Sequence, residues 1–107
     1  MIKISKLTIR FILGILLFSF VSCDKDKEAP VITILGDNPM TYCAGIDYAD
    51  PGATAMDNTD GDISAEINAE ILVDTSKEGT NYVNYEVSDE AGNKATATRV
   101  VNVIFCR

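Results

Sequence analysis

At 107 residues, 47% apolar and 23% charged, the chain has the length of one domain. It contains no histidine, which excludes a His-based triad, an imidazole metal ligand and an ordinary acid–base relay near neutral pH. Its sixteen acids outnumber nine bases, for a net charge of −7, so no cationic field draws in nucleic acid.

The N-terminus sets Lys3, Lys6 and Arg10 ahead of an apolar run from Phe11 to Val21, the layout of a secretory signal. As a helix, that run is roughly 16 Å long, against the roughly 30 Å of hydrocarbon a spanning helix must cross. Its apolar residues leave no polar face of the kind a short core helix shows. Phe20-Val21-Ser22-Cys23 resembles a bacterial lipobox, although Phe20 stands where leucine is usual. The resemblance implies that residues 1–22 are a lipoprotein signal peptide and that Cys23 is lipidated. Asp24-Lys25-Asp26-Lys27-Glu28 then makes a charged linker, 23–28, that has no apolar residue to pack. An acidic stretch in this place also resembles the surface-export signal of lipoproteins of the Bacteroidota type. Processing leaves six bases against sixteen acids, a net charge of −10. A chain so acidic associates with a membrane through lipid and not through a basic patch.

Periodicity in residues 29–107 is nearer two than 3.6. Val31 to Leu35 is rich in β-branched residues and closed by Gly36-Asp37-Asn38-Pro39, which reads as a strand and turn. Met40 to Cys43 is a second strand, and Ile46 to Tyr48 leads to a turn at Asp50-Pro51-Gly52. Ile63, Ala65 and Ile67 alternate with polar residues ahead of Ile71-Leu72-Val73, which predicts two short strands or one bent one. Tyr82 to Val87 is the clearest strand, with Val83, Tyr85 and Val87 on one face. After a connection at Ser88 to Asn93, Ala95, Ala97, Val101, Val103 and Phe105 share the parity of a long last strand. Arg99 interrupts that apolar series and predicts a bulge or an edge position. About seven closely spaced strands without a helical pattern predict an all-β antiparallel sandwich.

In order and spacing, Ala29-Pro30-Val31-Ile32, Tyr48 to Ala55, Asp57-Asn58-Thr59-Asp60-Gly61-Asp62-Ile63, Val73 to Ser76 and Ser88 to Lys94 resemble a known family. It is the bacterial surface-protein immunoglobulin-like domain also found in pesticidal crystal proteins, similar in style to hyalin-type repeats. The resemblance implies an immunoglobulin-like β-sandwich serving as a spacer or adhesive module.

Asp57, Asp60 and Asp62 lie close together, and Asp50 and Asp89 sit in loops that a sandwich could bring to the same end. Converging carboxylates suit calcium, a hard cation. The loop is not an EF-hand, because Asn68 stands where the closing glutamate would be. The same aspartates also cap turns by accepting backbone N–H bonds, and turn capping is the favoured reading. With Cys23 assigned to lipid, Cys43 and Cys106 form an even pair suited to a disulfide in an oxidising compartment. Two thiols alone do not make a metal site.

Ser64, Ser76 and Ser88 have no histidine base, Lys77 and Lys94 lie in polar loops, and the carboxylates lie mostly in turns or at outward-facing strand positions, so no catalysis is expected. The expectation is a lipid-anchored outer-membrane binding or structural module that meets a surface protein or glycan, with no cofactor unless calcium binds. The alternative is a calcium-dependent carbohydrate-binding lipoprotein serving glycan uptake, in which Tyr42, Tyr48, Tyr82 and Tyr85 are the aromatics able to stack on sugars. Tyr85 belongs to the core by parity, where its hydroxyl can bond across a corner.

Overall fold

The computed structural model describes residues 26–107, so the signal peptide and Cys23 lie outside the described residues. Seven strands run in chain order: β1 Val31–Ile34, β2 Met40–Cys43, β3 Ala53–Asp57, β4 Gly61–Asp62, β5 Asn68–Leu72, β6 Gly79–Ser88 and β7 Lys94–Ile104. They form two sheets, ordered β1-β3-β4 and β2-β7-β6-β5. Among the described residues no helix is long and apolar enough to cross a membrane.

Alternation along the strands builds the core between the sheets. Val83, Tyr85 and Val87 from β6 and Val101 and Val103 from β7 are buried, with Ala55 of β3 opposite. Ile32, Ile34, Tyr42, Tyr48, Ala53, Ile67 and Val73 pack around this centre.

Several expectations are corrected. The sandwich is not wholly antiparallel: β2 runs parallel to β7, with Met40 opposite Val101 and Cys43 opposite Ile104. Residues 63–67 do not extend as a strand. Ser64–Glu66 is one turn of 3-10 helix, while the pairing with β6 begins at Asn68. β3 carries weak strand formers, two alanines, a methionine and an aspartate, and its pattern was hidden in the sequence. It is held by β1 on one side and β4 on the other. Phe105 follows the inward parity of β7 but lies past the end of the strand and is exposed. Arg99 is not at a bulge: it pairs in register with Val83 of β6 and its side chain is fully buried. On its other side β2 begins only opposite Val101, and the Asn38 side chain bonds Thr98 and Val100 in place of a strand.

Candidate functional sites

Arg99 sits on the inward face because parity puts it there, and a buried guanidinium must find acceptors for its fork of N–H groups. Nε–H donates to Asp50 Oδ1 at 3.1 Å, Nη1 to the Asp37 carbonyl at 2.5 Å, and Nη2 to the carbonyls of Leu35 at 2.6 Å and Gly52 at 3.1 Å. These acceptors come from the two turns that flank β1 and β3, so the charge of one strand organises the loops of the opposite sheet. Asp50 completes the node. It accepts the Tyr48 hydroxyl at 2.5 Å, the Tyr85 hydroxyl and the Gly52 N–H at 2.9 Å. Burial pushes the Asp50 carboxyl up, but donors from Tyr48, Tyr85 and Gly52 and the charge of Arg99 outweigh it and hold the group below its ordinary range. Burial and the neighbouring carboxylate raise both tyrosines.

Asp50 does not lie with the aspartates that converge: its lone pairs are committed to Arg99, the two tyrosines and the Gly52 N–H. Asp62 is also turned aside, accepting the N–H of Ser64 at 2.9 Å and its hydroxyl at 2.6 Å, which lowers the exposed carboxyl. Asp60 accepts the Glu90 N–H at 2.8 Å and joins the β3–β4 loop to the β6–β7 loop.

Asp57 and Asp89 do converge, and each is only 6% exposed. Asp26, from the charged linker, joins them; the three offer carboxylate oxygens that all lie within 4.8 Å of one another. The linker was expected not to pack, yet the Asp26 carbonyl accepts Asn93 Nδ2 at 2.9 Å. Asp57 Oδ2 accepts the N–H groups of Thr59 and Asp60, both at 3.0 Å, whereas its Oδ1 is buried with no partner. Asp89 is bound through both oxygens to Asn93, by the backbone N–H at 2.7 Å and by Nδ2 at 2.9 Å. The ion pairs among the described residues are Lys94–Glu86 and Arg99–Asp50, and neither touches this cluster. Nothing in the linker sequence separates Asp26 from its neighbours Asp24 and Glu28, because its partner Asn93 lies 67 positions away.

Cys43 and Cys106 are bonded, with Cα atoms 5.4 Å apart. The parallel register of β2 and β7 brings them there: Cys43 ends β2 opposite Ile104, and Cys106 lies two residues beyond. The tyrosines do not form a coplanar stacking pair among the described residues. Tyr42 and Tyr48 meet edge to face, centroids 5.0 Å apart at 67°, and Tyr42 donates to the Asp47 carbonyl at 2.8 Å. Tyr85 is buried, and Tyr82 is the large exposed one.

Tyr82 stands on the outer face of the four-stranded sheet. Register places Leu72, Tyr82 and Val100 in one row, Glu70, Asn84 and Thr98 in the next, and Asn68, Glu86 and Thr96 beyond. The two polar rows line a shallow depression of about 650 Å³. Thr98 donates to Asn84 Oδ1 at 2.9 Å across it.

The family model for "Bacterial surface protein, Ig-like domain" matches residues 32–103. The chain belongs to that family. No curated protein matches this Ig-like chain. Among solved structures it is similar to the lipoprotein BT2262 from Bacteroides thetaiotaomicron, with 26% identity and a TM-score of 0.61 over 73% of this chain and 39% of that one. It is also similar to a Clostridium perfringens ZmpB structure comprising CBM51-2 in complex with GlcNAc and INT domains, with 25% identity and a TM-score of 0.57 over 72% of this chain and 17% of that one. The Ig-like chain thus spans well under half the length of either structure.

Proposed function

We propose that this protein is a lipid-anchored module of the bacterial outer membrane, exposed at the surface, that binds or spaces other molecules without turning one over. The observation that carries the reading is the surface Ig-like match beginning at residue 32, a few positions after the lipobox-like Phe20 to Cys23. Similarity to a Bacteroides lipoprotein supports the anchor. The resemblance to domains of pesticidal crystal proteins and hyalin-type repeats supports an adhesive or spacer role. The mass of the protein extracted from membranes tests the anchor: acyl chains on Cys23 and loss of residues 1–22 are expected, and Cys23→Ser moves the protein to the soluble fraction. An uncut, lipid-free chain recovered from the cytosol would overturn the proposal.

A second reading, a glycan-binding lipoprotein that serves uptake, is favoured by the outer sheet face. Tyr82 beside two rows of Asn, Glu and Thr side chains combines a stacking surface with hydrogen-bonding groups suited to hydroxyl-rich ligands. Similarity to a structure that includes GlcNAc points the same way. Affinity electrophoresis in gels containing polysaccharide checks it: retardation that Tyr82→Ala abolishes is expected, and mobility unchanged in every glycan refutes it.

A further inference from the structure

We infer that Asp26, Asp57 and Asp89 bind one calcium ion, which fastens the N-terminal linker to the pole of the sandwich where the β3–β4 and β6–β7 loops meet. Three carboxylates come from three separate chain segments, and their offered oxygens lie within 4.8 Å of one another. Calcium–oxygen distances of about 2.3–2.6 Å put opposed ligands of one ion about 5 Å apart, so a single ion can touch all three.

An acidic cluster alone would not establish a site, since aspartates in turns are satisfied by backbone donors. Here one oxygen is not satisfied. Asp57 is 6% exposed, its Oδ2 takes both donors of its own turn, and its Oδ1 is left buried without a partner. A buried carboxylate oxygen without a donor is costly, and a cation is the partner that relieves it while also offsetting the repulsion among three acids. The nearby donors are committed elsewhere: Thr59 and Asp60 N–H to Asp57 Oδ2, Asn93 N–H and Nδ2 to Asp89.

The donor set selects the ion. All three ligands are oxygens, without the imidazole or thiolate that zinc and copper prefer. Magnesium demands near-octahedral geometry at shorter distances, whereas calcium tolerates an irregular shell completed by water. The site also unites the two sheets: Asp57 ends β3, Asp89 follows β6, and Asp26 leads into β1. The linker's position at that pole is already marked by the bond from Asn93 to the Asp26 carbonyl. Coordination fixes it there.

Calcium chloride titrated into the full chain, purified in detergent and stripped with chelator, tests the inference by calorimetry and thermal unfolding. One ion per chain is expected, with a dissociation constant in the about 10⁻⁴–10⁻³ M range of extracellular modules. Calcium at a hundredfold excess over that constant raises Tm by on the order of 10 °C and slows tryptic cleavage after Lys27. Asp57→Asn abolishes the heat of binding. Asp26→Ala, which lies outside every strand, weakens calcium at least tenfold and does not lower Tm in chelator, so loss of binding there is not loss of fold. Asp62→Asn binds as the native chain does. A Tm unmoved by calcium would overturn the inference. Unchanged affinity in Asp26→Ala, or equal affinity for magnesium, would also overturn it.

Discussion

Arg99 and Asp50 show how one pair of charges inside a small core can be tolerated. Neither is solvated, with side-chain exposures of 0% and 7%, yet each donor and acceptor has a protein partner. Removing one member leaves the other buried and uncompensated, which typically costs about 3–5 kcal/mol. Asp50→Ala is therefore expected to destabilise the domain by that amount in urea denaturation, a large share of the roughly 5–15 kcal/mol available. The same node sets the pH profile. The Asp50 carboxyl is held below its ordinary 3.8, so its contribution is present above that value and is lost as pH falls through the folded-state value. Tyr48 and Tyr85 are held above 10.0, so their contribution is full below pH 10 and is lost as pH rises through the raised values. The urea midpoint should plateau between about pH 4 and 10 and fall on both sides. Asp50→Asn should remove part of the acid limb, the remainder belonging to carboxylates such as Asp62 and Asp74 that are held low by serine donors.

Among the elements, β4 is the one whose shortness needs an explanation. It pairs only through Gly61 and Asp62, and where its ladder ends the Ser64 hydroxyl takes over by accepting the Ala55 N–H at 2.9 Å. Gly61 has φ +77°, a left-handed turn that lets the chain reverse after Asp57 and bring Ser64 back beside β3. Ala55 is completely buried, so Ser64→Ala leaves its N–H without a partner. A loss of about 1–3 kcal/mol is expected, read as a lower urea midpoint at unchanged slope. In the sequence this stretch resembles a strand, because Ile63, Ala65 and Ile67 alternate with polar residues. The alternation is real but short: Asp62 turns the chain by accepting the Ser64 N–H and hydroxyl, and the backbone bonds from Glu66 to Ile63 and from Ile67 to Ser64 close a 3-10 turn instead.

At the scale of the whole molecule, the Cys43–Cys106 bond spans 63 positions and encloses most of both sheets. On the chain-entropy model, closing a loop of that length stabilises by about 4 kcal/mol. Thermal unfolding with and without a phosphine reductant should show Tm falling by roughly 15 °C or more on reduction. An unchanged Tm would show that the bond contributes nothing to stability. Alternating Val83, Tyr85 and Val87, the turn residues and the order of the family motifs determined an all-strand sandwich with Tyr85 inside, since strand period and turn chemistry are local properties written within a few residues. Tertiary structure alone decided that the Arg99 side chain lies in the core, that Asp50 pairs with it, that β2 lies parallel to β7, and that Asp26 meets Asp57 and Asp89. Each of these depends on groups far apart in the chain, and a side chain's chemistry follows from the partners that packing brings to it.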